Sequence, residues 1–207
     1  MNDIPLARRA FLTGALSVAA LPAFAQTKPP LEDRGYALGD VVLGSPDAPV
    51  TIIEYASLTC PHCAAFHNQT FPVIKEKYID AGKARFVFRD VYFDQYGLWG
   101  AMIARCGGEG PFFGYVATLF ERQREWVQSE DRVAALQRIG RLGGLSADRM
   151  NECLRDEDFL NRLVADYQAN ATADGVQATP TFIINGEKFT GDMPVADFSA
   201  LIDKHLS

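Results

Sequence analysis

The residues best suited to chemistry are Cys60, Pro61, His62 and Cys63. Two cysteines three positions apart on a helix lie about one turn apart, close enough to close a disulfide or open to two thiols. A helix start offers partial positive charge and unpaired N–H groups, which together favour a thiolate. Cys60 is therefore the candidate nucleophile and Cys63, one turn in, the resolving partner. The amides that follow Pro61, and His62 when protonated, would add to the stabilisation of the Cys60 thiolate. A well-stabilised thiolate makes the corresponding disulfide strongly oxidising. A purely structural bridge is disfavoured, because closing so short a loop removes little unfolded-state entropy. Metal binding is the alternative of a different class. Cys60, Cys63 and His67 fall at i, i+3 and i+7 of one helix face and suit zinc or copper, though no fourth ligand follows nearby. Apart from that alternative, His67 reads as a surface or partly buried helix residue.

The elements that must position this pair can be read on either side of it. Val50-Thr51-Ile52-Ile53-Glu54-Tyr55 is β-branched and almost wholly apolar, as expected of a strand covered on both faces. Its one acid, Glu54, stands six residues before Cys60. Desolvation there favours the protonated form, so Glu54 could accept or return the proton of Cys63. A structural salt bridge with Arg89 is the plainer role. The helix after Cys60 carries Ala64, Phe66, Phe71, Val73 and Ile74, and Pro72 should kink it. Residues 84–89 form the next strand, and Val41-Val42-Leu43 a short edge strand.

Residues 97–173 change period. Leu98, Met102, Ile103 and Cys106 form one helical stripe. Pro111 reads as an N1 proline ahead of Phe112, Phe113, Val116, Leu119 and Phe120. Val133, Leu136, Ile139 and Leu142 form another stripe, Ser146 caps a short helix containing Cys153, and residues 158–173 form a last long helix. Tyr92, Phe93, Trp99, Phe112 and Phe113 read mainly as core, with one or two lining an apolar groove beside Cys60. Strand character returns at Thr181-Phe182-Ile183-Ile184. Asn185-Gly186 is a hairpin turn, and residues 192–206 a terminal helix. The order is βαβ, a helical block, then a β-hairpin and a helix, in an α/β chain.

The chain has 207 residues, 48% hydrophobic and 22% charged, with a net charge of −6 and no basic patch suited to nucleic acid. Residues 1–25 read as a signal peptide. Arg8-Arg9 precede a short apolar run, and Ala23-Phe24-Ala25 form a small-x-small cleavage site. The run is short for a membrane anchor. Arg8-Arg9-Ala10-Phe11-Leu12 is similar to a twin-arginine signal, with Ala7 in place of the usual Ser or Thr, so both export routes remain open. Either leads out of the cytosol, in a bacterium to the periplasm. Residues 26–39 read as a flexible lead-in. Four cysteines in an oxidising compartment fit two disulfides.

Residues 54–63, read with Gly175-Val176-Gln177-Ala178-Thr179-Pro180-Thr181-Phe182-Ile183-Ile184-Asn185-Gly186, resemble the DsbA family of thioredoxin-fold disulfide oxidoreductases. The resemblance covers about residues 38–206, and the two motifs together are far more specific than either alone. It implies a thioredoxin-like fold in two parts, residues 40–96 and 174–207, with an inserted all-helical domain over residues 97–173. It implies a cis peptide at Thr179-Pro180 against the cysteine pair, with the Thr179 backbone exposed to pair with a substrate peptide. It supports the proton role of Glu54. Some relatives carry a disulfide in the helical block, which makes Cys106–Cys153 the simplest pairing. A tuning effect on the active-site potential, or two free buried thiols, are its alternatives. The implied activity is oxidation of reduced, newly exported proteins through a mixed disulfide at Cys60. A quinone-linked membrane protein of the DsbB type would reoxidise the pair, with no diffusible cofactor. An isomerase or reductase on the same fold and an inactive interaction module are the remaining readings.

Overall fold

The computed structural model describes residues 28–207. The signal-peptide reading of residues 1–25 and the first two residues of the lead-in lie outside the described residues. Five strands form one sheet in the order β1-β3-β2-β4-β5: β1 (Val41–Leu43), β2 (Val50–Ala56), β3 (Ala84–Asp90), β4 (Thr181–Ile184) and β5 (Glu187–Thr190). β2 runs parallel to β3 and antiparallel to β4. It is the centre of the sheet, where Val50, Ile52, Glu54, Tyr55 and Ala56 are buried while Thr51 and Ile53 are only half-buried, so the strand is less completely covered than its sequence predicts. In this register Glu54 stands between Phe88 of β3 and Phe182 of β4. The β4–β5 hairpin turns on Asn185 and Gly186, both at positive φ (45° and 91°), the conformation that a two-residue turn of this hand demands. The Asn185 side chain also accepts from the Thr51 N–H at 2.8 Å, pinning the turn to β2.

The helix after Cys60 is α1 (Pro61–Ala65) and α2 (Phe71–Ile74), joined and extended by π-helical turns over Phe66–Thr70 and Lys75–Ile79. The irregularity expected at Pro72 takes this form. The Phe71 N–H reaches back five residues to Phe66, and Pro72 then falls in the first turn of α2, where a missing N–H is tolerated. Between β3 and β4 stand α3 (Gln95–Cys106), α4 (Glu109–Glu121), α5 (Gln123–Val127), α6 (Arg132–Leu142), α7 (Ala147–Leu154) and α8 (Glu157–Ala173); α9 (Val195–Lys204) closes the chain. Asp94, Asp131, Ser146 and Asp156 each accept a backbone N–H as the cap of α3, α6, α7 and α8. Pro111 is not at N1, because α4 begins two residues earlier at Glu109, after Gly108 at φ 83°. The short α5 carries no apolar stripe that sequence periodicity would reveal.

One core joins the sheet to this block. Phe86, Phe88 and Phe182 from the strands meet Phe66, Phe112, Phe120 and Trp126 from the helices. A second cluster holds Tyr36, Met102, Cys106, Cys153, Phe159 and Leu163. Its presence corrects the flexible reading of the lead-in over its described part, residues 28–39. Leu31–Arg34 form a 3-10 turn, and the Tyr36 ring stacks on Phe159 at 4.0 Å. Tyr36 Oη and Arg34 Nη1 both donate to the buried Asp156 at 2.9 Å, and the Ala37 N–H bonds Arg105 at 2.9 Å. Asp156 caps α8 from a fully buried position, so it needs donors, and the lead-in supplies them. Phe93 departs from the core reading, being 60% exposed in the β3–α3 connection, whereas Phe112 is fully buried. No helix of the described residues is long and apolar enough to cross a membrane.

Candidate active site

Cys60 is the N-cap of α1, with extended backbone (φ −79°, ψ 122°) and Pro61 beginning the helix. The loop before it is fixed from two sides. The Thr59 hydroxyl donates to Asp94 at 2.8 Å, and Asp94 is itself the cap of α3. Gln123 of α5 reaches in, buried, and its Nε2 donates to the carbonyls of Leu58 (2.8 Å) and Cys60 (2.9 Å). The helical block thus holds the backbone on which the nucleophile sits.

The two cysteines are free thiols in different settings. Cys60 keeps 8% of its surface exposed; Cys63 keeps none. The Cys60 thiol is pulled down to about 5. Its hydrogen bond with Cys63 is the largest cause. Burial opposes it, and the Thr179 hydroxyl and the backbone N–H groups of Cys63 and His62 add to the lowering. The Thr179 hydroxyl is buried and has no hydrogen-bond partner, so it is free to turn towards the sulfur. Cys63 moves the opposite way. Its bond to Cys60, its burial and the charge of Glu54 all push its thiol far above the ordinary range. The proton of the pair therefore resides on the inner sulfur, and the outer one is the thiolate.

Thr179-Pro180 is a cis peptide at the start of β4. It brings the Thr179 carbonyl within 3.6 Å of Cys60 Sγ. His62 stands apart from this arrangement. Its side chain is 71% exposed, and Nδ1 lies 3.2 Å from Asp192 on the β5–α9 connection. Its contribution to the thiolate is through its backbone N–H, where the sequence suggested the imidazole.

Glu54 and His67 correct two further expectations. Glu54 does not pair with Arg89, which instead binds Asp40 at 2.8 Å and Asp174 at 2.9 Å. Nor is His67 a surface residue or a companion ligand of the cysteines. Its ring is buried, stacked on Phe120 at 4.2 Å, and Nε2 lies 2.6 Å from Glu54 Oε2. Among the described residues no group of histidines, cysteines and acids has an arrangement that could hold a metal ion. Cys106 of α3 and Cys153 of α7 are disulfide-bonded across 47 residues, with Cα atoms 6.0 Å apart.

Sequence reasoning missed Gln123 and the His67–Glu54 pair. Gln123 has no local signature, since it acts on backbone 63 and 65 residues away. The pair did leave a sign: a lone acid in an apolar central strand requires a partner, and His67 lies on the helix that follows.

Comparison with known proteins places this geometry. The thioredoxin family model matches residues 37–204. The chain belongs to the thioredoxin family, in its DsbA-like branch. It is similar to the solved structure of alpha-DsbA1 from Wolbachia pipientis, with 37% identity and a TM-score of 0.75 over 80% of this chain and 90% of that one. It is 31% identical to disulfide bond formation protein D of Bacillus subtilis, over 81% of this chain and 78% of that protein. It is also 34% identical, over 81% of this chain, to a provisionally named protein-disulfide oxidoreductase of Rickettsia felis, and spans 60% of that relative's length. The DsbA-like fold with a helical insertion is thus the architecture described above.

Proposed function

We propose that this protein is a thiol:disulfide oxidase that passes the Cys60–Cys63 disulfide to reduced proteins outside the cytosol. The observation that carries the reading is the asymmetry of the pair: an outer thiol lowered to about 5 beside a buried inner thiol that keeps its proton. Lowering a thiol's pKa stabilises the reduced dithiol form and so makes the disulfide a better oxidant. A value near 5 lies between the about 7 of thioredoxin and the about 3.5 of a strong oxidase.

A substrate thiolate attacks Cys60 Sγ in the Cys60–Cys63 bond. The S–S bond breaks, Cys63 leaves as a thiolate and takes a proton, and substrate and Cys60 are joined. A second substrate thiolate attacks the substrate's own sulfur, giving its disulfide and the Cys60 thiolate. Two electrons have moved from substrate to the cysteine pair. Thr179 would hold the peptide by its backbone, as an extended strand laid beside β4. Reoxidation falls to a disulfide-bearing partner, for which a quinone-linked membrane protein of the DsbB type is the family's model. Arg8-Arg9, the apolar run and Ala23-Phe24-Ala25 support a periplasmic location.

The test mixes a Cys63→Ser protein, its Cys60 activated as a mixed disulfide with an aromatic thiol, with reduced, unfolded exported proteins. A substrate thiolate should displace the aromatic thiol, and a mixed disulfide between Cys60 and the substrate should accumulate. Its absence would remove the oxidase reading and the isomerase reading together.

A further inference from the structure

His67 is a fully enclosed titratable residue that the exchange chemistry above does not use. Its Nε2 lies 2.6 Å from Glu54 Oε2, with 3% and 0% of the two side chains exposed. The other carboxylate oxygen, Oε1, is buried with no partner at all. The surroundings are otherwise aromatic. Phe88 and Phe182 flank Glu54 from β3 and β4, Phe120 of α4 stacks on the imidazole, and Phe66, Phe71 and Phe86 complete the enclosure. Glu54 meets His67 through a hydrogen bond and Cys63 through its charge, both on the helix that follows Cys60, while β3, β4 and α4 contribute rings. The charge of Glu54 already acts on the Cys63 thiol.

An acid in such a place has a problem. A carboxylate taken out of water needs hydrogen-bond donors, and only a carboxylate can take a proton from Cys63. A hydrogen bond donated to the carboxylate favours the charged form. We propose that His67 is a positioning residue for the exchange reaction: the Nε2–H donated to Glu54 Oε2 keeps this carboxylate available to take and return the proton of Cys63. The inference rests on the oxidase reading and adds to it the group that sets the proton acceptor. When Cys60 is bonded to a disulfide-bearing oxidant, Cys63 gives its proton to Glu54. Its thiolate then attacks Cys60 Sγ, the Cys60–Cys63 bond forms, and the oxidant's sulfur leaves as a thiolate that water protonates. In the forward direction Cys63 leaves as a thiolate and the same pair returns the proton.

The test follows the decay of the Cys60–glutathione adduct, formed by mixing the reduced full-length protein with glutathione disulfide, between pH 5 and 9. Wild type, His67→Leu and His67→Gln are compared, with the Cys60 titration read by thiolate absorbance as a control. In His67→Leu adduct decay at pH 7 should slow at least about tenfold, with the profile moved up by a pH unit or more. His67→Gln, which keeps an N–H donor, should recover most of the rate, and Cys60 should titrate alike in all three. A decay profile in His67→Leu that coincides with wild type overturns the inference. If His67→Leu does not fold, His67→Phe, which keeps a ring against Phe120 but donates nothing to Glu54, is the substitute: a slowed and displaced profile supports the proposal, and an unchanged profile overturns it. Failure of the wild type to form any adduct would instead overturn the oxidase reading, and the inference with it.

Discussion

Cys60 Sγ and the carbonyl oxygen of Thr179 lie 3.6 Å apart, although 119 residues separate them in the chain. The cis peptide that follows Thr179 begins β4, so sulfur and peptide-pairing backbone are parts of one surface. The Thr179 hydroxyl, buried with no hydrogen-bond partner, is a donor within reach of the thiolate and contributes to its lowering.

Thr179→Val should therefore raise the Cys60 titration by about one pH unit, the worth of one hydrogen bond to a charged group. His62→Leu should move it by less than about half a unit, because the imidazole is exposed and turned to Asp192 while its backbone N–H remains. Absorbance of the thiolate against pH measures both. A larger shift in His62→Leu than in Thr179→Val would reverse this assignment.

The lowered thiol also sets how stability depends on pH. A group whose folded pKa is depressed stabilises the fold above its unfolded value, and loses that contribution as pH falls through the folded value. For Cys60 the interval runs from an ordinary 9.0 down to about 5. The oxidised protein has no such proton. The reduced form should gain stability relative to the oxidised form as pH rises from 5 towards 9. Thermal unfolding of both forms at pH 4.5 and pH 8.5 checks the sign.

Gln123 should matter to stability through the active-site loop. Gln123→Leu leaves the Leu58 and Cys60 carbonyls without this donor and should cost on the order of 2 kcal/mol. Gln123→Glu should cost more, since a carboxylate would face two carbonyl oxygens with nothing to donate. Urea unfolding midpoints order the three proteins.

The Cys106–Cys153 bridge spans 47 residues, for which the chain-entropy model gives about 4 kcal/mol. A Cys106→Ala, Cys153→Ala protein should lose stability of that order yet keep the Cys60 titration near 5. A displaced titration would show that the bridge tunes the active site.

What could be read without the structure was whatever a short stretch encodes. Cys60 to Cys63, the β-branched run of β2 and the Asn185-Gly186 turn each carry their geometry within a few residues. So does Ser146, which caps α7 as its type and place require. Groups whose role depends on distant partners were not legible. Residues 28–39 look polar and loose in sequence, but Arg34 and Tyr36 are drawn in by Asp156, about 120 residues later. His67 reads as a surface or partly buried helix residue, or as a metal ligand, because its partner, Glu54, lies on a strand under the helix. Gln123 gave no sign, since a donor to backbone carbonyls needs no pattern of its own.

The central claim is that the pair is poised to oxidise. The most direct measurement is the equilibrium potential of Cys60–Cys63 against a glutathione buffer. The expected value lies well above the about −270 mV of thioredoxin, towards the about −120 mV of a strong periplasmic oxidase. A value at or below that of thioredoxin would contradict the account and make the protein a reductase.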